Sequence, residues 1–560
     1  TLELDRRQRQ MCIRDRVRVS TVDTSATNIG TVTINAGMID LGTLNARFIS
    51  NLTSDTGDLA IDTILGGTSV DLNSAANVVI GTADTSGISI DALSGDITIG
   101  SLTTTGVADV RLNAGGNIGY TTINGARLVN LNSDSITGGD LVAAAGIGLT
   151  AGSIDVGDTR STGGFVLFTS TVGDIAAGAI TSDNFGTTVD SAGAVDLGDI
   201  TTNSTTRVVS VGDAIVGNID ANGSAIINAG GNLTAGDLFS GTNSPGMTLT
   251  VAGDADIASA TANGGLNINV DGALSGGDFV GQGPLSLVTI NAASLDINSV
   301  DSINQSVSVT TTGSAAIGSA SSGVNTTITG ASVNLDSGDV GGTLRVTSNS
   351  GDITGLGSIT VGGSAIFNSA ASIAIGTLEA NNIDLTAAGD LRFNGLVSPN
   401  AITLSALNGT IGATTPGEGD IDSGGAVDLV GQVIDLGNID SDGSITADAT
   451  DGDASFGALT AGTFIDITAK GNPSVESVTS GGNVTLIGAS ISLDGGDIGG
   501  ALILDAQDGD IVLSFDGTQQ LLVGGTASFN ASGDMIVTHT NNTADTVSVD
   551  VEQGAFVFVR

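Results

Sequence analysis

Short stretches of this chain place aliphatic residues at every second position and close on Gly, Asn or Asp. Examples are "TVTINAG" (31–37), "VRLNAGG" (110–116), "LNINVDG" (266–272) and "ISLDGGD" (491–497). A period of two is that of a strand with one face buried, and the closing residues are turn formers. Helix is disfavoured by the same text. Lys, Glu, Gln and Met are scarce, while Gly, Thr, Ser, Asn and Asp either cost backbone entropy or compete for backbone hydrogen bonds. The 560 residues include 85 Gly but no Trp, one Tyr and one His. So few aromatics cannot fill several compact cores, whereas plentiful Ile, Val, Leu and Ala suit a long, narrow one.

The turn marks recur. Gly followed by Asp or Asn and then an aliphatic begins at Gly95, Gly116, Gly139, Gly173, Gly198 and Gly217, at successive offsets of 21, 23, 34, 25 and 19. A supersecondary unit repeated along a whole chain is the mark of a solenoid. The consensus patterns of leucine-rich repeats, ankyrins and propellers are missing, which leaves an all-β parallel β-helix (β-solenoid) of about 20–25 residues per coil. Its inward aliphatics stack from coil to coil. Gly, Asn and Asp are expected at corners that need positive φ or a side-chain cap. With strands stacked at roughly 4.8 Å, some 22 to 27 coils predict a rod on the order of 100 to 130 Å.

"GASVNLDSGDVGGTLRVTSNSGDI" (330–353) returns as "GASISLDGGDIGGALILDAQDGDI" (488–511), with 13 of 24 positions identical. "VGGSAIFNSA" (361–370) returns as "VGGTASFNAS" (523–532), at an offset of 162 against 158 for the first pair. Such an echo at a nearly constant offset is read as the duplication of one block, near 310–378 and 468–540. Residues 17–560 are expected to form one continuous parallel β-helix. Residues 1–16, "TLELDRRQRQMCIRDR", hold five of the 15 basic residues and the only Cys, without Gly or alternation, and are expected to be disordered or foreign to the fold.

Charge excludes one class of function. Beyond residue 16 the chain has ten basic against 56 acidic residues, the reverse of what neutralising phosphates requires. Nucleic acid is therefore excluded as a partner, and adsorption to anionic membrane is disfavoured. Only five of the 59 acidic residues are Glu, so the acid is mostly the turn former Asp. A tandem Gly-Gly-x-Gly-x-Asp calcium array is absent. "SGDVGG" (337–342) and "GGDIGG" (495–500) come nearest, which makes Asp339 and Asp497 the weak Ca²⁺ candidates. Loosely adsorbed Ca²⁺ is the only cofactor expected. Beyond Cys12 there is no thiol for a disulfide or a thiolate site, and no stretch reaches the 18 apolar residues of a membrane helix.

No catalytic set stands out. His539 has no Cys or basic residue near it in sequence, and Tyr120 is expected to fill a coil edge. Asp448, Asp451 and Asp453 are carboxylates of the kind glycosidases pair, in a chain where Asp is everywhere. Arg111, Arg127, Arg160, Arg207, Arg345, Arg392 and Lys470 are single and scattered, as surface charges are.

"INAGGNLTAGDLFSG" (227–241), "VADVRLNAGGNIG" (107–119) and "IDLTAAGDLRFNG" (383–395) resemble the repeats of filamentous haemagglutinin-like adhesins and autotransporter passengers of Gram-negative bacteria. The likeness covers most of residues 20–550. It implies a right-handed parallel β-helix, passage through an outer-membrane secretion barrel in the full-length protein, and a place on the cell surface or outside the cell. It also implies adhesion to glycans and proteins of host, cell surface or matrix, with no direct membrane insertion. The family's secretion domain and translocator barrel are not visible, so the chain reads as an interior piece of a longer protein. A non-enzymatic adhesive rod is thus the leading expectation. A β-helical polysaccharide lyase or hydrolase and a calcium-binding surface-layer or matrix protein are the alternatives.

Overall fold

The computed structural model describes residues 2–3, 11–12, 15–26, 31–242, 246–415, 418–515, 521–539 and 556–559. It is all-β: the described residues contain no helix, and within each of two units parallel coils stack as a β-solenoid, with about 26 turns counted over both. The chain divides into two compact units, Thr1–Ser286 and Leu287–Arg560.

Each coil has three short faces. In the first unit, Val110–Ala114 forms the first face, and Asn117–Gly125 bends after Tyr120 to supply the second and third. Val110, Leu112, Ala114, Ile118, Tyr120 and Ile123 point inward and are buried, while Arg111 and Asn113 face solvent. The alternation read from the sequence is this inward and outward pleat. Thirteen first-face strands stack from Thr31–Ala36 to Leu266–Val270. The second unit stacks thirteen more, from Val288–Ala292 to the strand Ala527–Ala531. Either stack spans about 60 Å at the usual strand spacing.

The core is a set of vertical columns. Leu131, Leu149, Phe168, Val189 and Val208 lie in register in the first unit. Val309, Ile328, Val346, Phe367, Leu385 and Leu404 do so in the second. All are buried, and each is worth about 1.5–3 kcal/mol relative to exposure for its larger members.

Coil length differs slightly from expectation. Register partners are mostly offset by 18 or 19 in sequence, as Val70 to Ile88 or Val110 to Val129, with extremes of 25 at Ile402 to Val427 and Leu502 to Ala527. The uneven spacings in the sequence arise because the turn marks belong to two corners. Gly95, Gly116 and Gly173 precede second-face strands, whereas Gly139, Gly198 and Gly217 precede third-face strands. Counting across corners produces the gap of 34 between Gly139 and Gly173. Within one corner, Gly173, Gly193, Gly212 and Gly231 follow at even offsets of 20, 19 and 19.

The corner glycines are also needed for a reason other than the one expected. Positive φ is found, among the described residues, only at Gly66, Gly67 and Gly419. Crowding between coils is the cause instead. A Cβ on Gly116 would stand 2.4 Å from Oδ1 of Asp96, and one on Gly231 2.2 Å from Oδ1 of Asp213. Those carboxylates cap the next coil. Asp96 Oδ1 accepts the N–H of Asn117 at 2.7 Å, Asp213 Oδ1 that of Asn232 at 2.7 Å, and Asn232 Oδ1 that of Asp254 at 2.9 Å. The second unit repeats the device at Asp453 with Asn472 and at Asp510 with Asp534. Each Gly-Asp pair thus makes room for the coil below and ties down the coil above, at about 1 kcal/mol per bond. Buried serines finish the first corner from inside: Ser191 Oγ donates to the carbonyls of Gly173 and Ala194.

The two related phrases occupy equivalent places in the second unit. Leu344–Ser348 corresponds to Leu502–Ala506, and one coil later Phe367 corresponds to Phe529. The offset changes from 158 to 162 because the coil from Leu344 to Ala365 is shorter than the coil from Leu502 to Ala527. At the other end, Leu2–Glu3 and Met11–Cys12 pair in parallel with Val22–Asp23 and Ile34–Asn35. Apart from Asp15 and Arg16, the remainder of 1–16, where a disordered or foreign end is expected, lies outside the described residues.

Candidate binding surface

Each face offers solvent one or two outward residues per coil, so the surface is made of rows repeating about every 4.8 Å. On the first face of the first unit, Asp91, Asn113 and Asn132 follow one another. Asn113 Nδ2 donates to Asp91 Oδ1 at 3.1 Å, and Asn132 Nδ2 to Asn113 Oδ1 at 2.9 Å. In the second unit the same face reads Thr327, Arg345, Ile366, Asp384 and Thr403 in one row and Thr329, Thr347, Asn368, Thr386 and Ser405 in the next. Short polar side chains in register are what the fold presents most often.

The acidic residues do two different things. Corner aspartates are hydrogen-bond acceptors of the coil-to-coil ladder described above, whereas others stand on the faces. Asp339 and Asp497 belong to the second kind. Both are exposed, at outward positions of third-face strands and not at corners, with Ser321 and Thr360 beside Asp339 and Thr479 and Leu522 beside Asp497. Among the described residues no group of three or more His, Cys, Asp or Glu is placed to hold a metal. Millimolar Ca²⁺ is therefore expected to shift thermal melting only slightly, by screening, and equally in wild type and in Asp339→Asn/Asp497→Asn. A Ca²⁺-dependent rise of more than about 10 °C that the double variant loses would demonstrate specific sites.

The three carboxylates near residue 450 do not converge. Asp448 faces outward on the first face between Val430 and Thr468. Asp451 pairs with Lys470 at 2.5 Å, and this hydrogen bond and the ammonium charge hold its carboxyl below the ordinary value. Asp453 accepts the N–H and Nδ2 of Asn472. His539 ends the strand Met535–His539, and its side chain lies outside the described residues.

Most basic residues are neutralised within the chain. Arg111 and Arg127 share Asp109 at 3.2 and 3.6 Å, Arg160 meets Asp183 at 2.9 Å, Arg207 meets Asp190 at 3.9 Å, and Arg392 meets Asp390 at 3.2 Å. Such exposed pairs contribute about 0–1 kcal/mol each. Arg345 differs: no ion pair or hydrogen bond engages its side chain among the described residues.

Tyr120 is the last inward residue of its second face, just before the bend. It is 7% exposed, and its ring fills the space left by Gly138 on the next coil, where a Cβ would lie 2.1 Å from Cζ. Its hydroxyl has no hydrogen-bond partner among the described residues, and burial, with Asp140 as the lesser cause, raises its pKa above the ordinary phenol value. Tyr120→Phe is expected to stabilise the first unit by about 1 kcal/mol in urea unfolding at pH 7, by removing an unpaired hydroxyl. The gain is expected to widen above about pH 10. There the unfolded tyrosine ionises and the folded one does not, so this part of the alkaline destabilisation falls on the wild type and is absent from the variant.

Fold and surface together define a parallel β-solenoid repeat protein whose outward rows mix short polar and charged residues with scattered exposed aliphatics such as Leu167, Val430 and Ile503. Compared with family models, curated proteins and solved structures, the chain matches none.

Proposed function

We propose that this chain is a structural and adhesive repeat protein of a secreted or surface-exposed kind, which binds glycans and other surfaces through many weak contacts and performs no chemistry. The supporting observation is the registered runs of short polar residues, such as Thr329, Thr347, Asn368, Thr386 and Ser405, which set donors and acceptors one strand spacing apart over five successive coils. A single hydroxyl contact contributes little, but contacts linked by a stiff scaffold share a high effective concentration. The formal charge of −44 keeps separate copies apart in solution. The pairing of Arg111, Arg127, Arg160, Arg207, Arg392 and Lys470 with the chain's own carboxylates is consistent with a surface that holds glycans without cleaving them. The resemblance to haemagglutinin-like repeats suggests the cell exterior as its place and an outer-membrane barrel as its route.

Beads coated with the chain test this reading. They are expected to adhere to a glycan-coated surface more than tenfold more strongly than the free chain. Incubation with polysaccharides is expected to release neither new reducing ends nor unsaturated uronate. Turnover of any polysaccharide, or equal retention of beads on bare and glycan-coated surfaces, would refute it.

A further inference from the structure

The first face of the second unit carries a window without carboxylates. From Thr289 to Asn368, across five stacked strands, no outward position on this face is acidic. Asp384, Asp428, Asp466 and Asp505 occupy the same face in later coils. Within the window stands Arg345, exposed and unpaired among the described residues, with Thr327 before it and Ile366 after it in its row and Thr347 beside it on its own strand. The side chains of Thr327, Thr329, Thr347 and Asn368 make no hydrogen bond to the described residues.

The fold does not require an arginine here. In the equivalent coil at Leu502–Ala506, Ile503 stands at the position of Arg345 and Asp505 at that of Thr347. The cation and the missing acid therefore belong to one copy of the block alone. Nor does the chain's large negative charge forbid an anion at this spot. Exposed charges are screened beyond about 8 Å at physiological ionic strength, and the nearest acid in the same row, Asp384, is two strand spacings away, about 9.6 Å.

We propose that Arg345 and the hydroxyl and amide rows around it form a binding site for a carboxylate-bearing sugar, a uronic acid residue within an acidic polysaccharide. The guanidinium presents a fork of donors that matches a carboxylate in bidentate fashion. Thr327, Thr329, Thr347 and Asn368 supply the short donors and acceptors that neighbouring sugar hydroxyls need, and Ile366 offers an apolar contact for a ring face. A polysaccharide running along the coil axis would keep its acidic residue at Arg345 and its neutral groups on the rows. This deepens the adhesive reading above and rests on it.

Titration calorimetry of the full chain in 0.15 M salt, with oligogalacturonate as the probe, tests the site. Arg345→Ile, which copies the residue of the equivalent coil, is expected to weaken binding roughly tenfold to a hundredfold. Arg345→Lys should recover part of the loss, since an ammonium keeps the charge without the fork. The methyl-esterified oligosaccharide is expected to bind as weakly as the Arg345→Ile protein binds the acid. Unchanged affinity in Arg345→Ile, or absence of binding by the wild type, overturns the site even where coated beads still adhere to glycan surfaces. Equally tight binding of polyglutamate would make the partner an acidic protein and overturn it as well.

Discussion

Phe168→Ala is expected to cost the first unit about 3–5 kcal/mol. The ring is fully buried in the inward column, with Leu149 on the coil before and Val189 on the coil after. Coils advance at a fixed strand spacing, set by the ladder hydrogen bonds, so neighbours cannot collapse into the space a phenyl leaves. Such sites lie at the costly end of large-to-small changes. In a repeat stack each coil contacts only its neighbours, so the damage should stay local. Hydrogen exchange is expected to accelerate in Gly146–Val156, Val166–Ser170 and Thr187–Ser191, while Leu266–Val270 keeps its protection. A cost below about 1 kcal/mol, or loss of protection spread evenly over the unit, would contradict the stacked-column account of the core.

Gly164→Ala is expected to cost about 3 kcal/mol, although it adds only one methyl group, at a buried corner. An ideal Cβ at Gly164 falls 1.3 Å from the carbonyl oxygen of Ala145 and 2.2 Å from its carbon. Backbone on one coil or the other must move. Moving it strains two further bonds, from the Gly164 N–H to Ser161 Oγ at 3.1 Å and from Ser182 Oγ to the Gly164 carbonyl at 2.8 Å. Gly119→Ala is the matched control. The nearest atom to a Cβ there is the Thr137 carbonyl oxygen at 4.0 Å, and the change is expected to fall within about 0.5 kcal/mol of wild type. Urea unfolding of both variants checks the contrast. Equal costs would mean that glycine acts here through backbone freedom and not through the closeness of the coils.

The sequence showed strands and turns well, and sites poorly. "VRLNAGG" and "LNINVDG" carry their inward and outward residues in the order of the letters, because a strand's side chains alternate whatever it pairs with. The stacking could be inferred from the recurrence of Gly-Asp. Which corner each Gly-Asp belongs to could not, since Gly116 and Gly139 look alike in the text and differ only in the strand that follows. The same limit applied to charge. Arg207 and Arg345 are equally isolated among their sequence neighbours. One step along the coil brings Asp190 to Arg207 and Asp183 to Arg160, whereas among the described residues no carboxylate is brought to Arg345. Asp339 and Asp497 looked like turn residues because Gly flanks them, yet pairing places both in strands, facing out. One signal was available to a closer reading: within the duplicated block, position 345 exchanges Arg for Ile at 503, while Leu344 is kept as Leu502 and Val346 is replaced only by another aliphatic, Leu504.

The sequence alone determined that the chain is β, that its core is aliphatic and that a single local unit recurs, because periodicity, propensity and turn chemistry are properties of neighbouring residues. Tertiary structure decided what each turn residue is for and which charges are paired. Those depend on the residue about one coil away, and coil lengths as unequal as Val70 to Ile88 and Ile402 to Val427 shift that partner by several positions from one turn to the next.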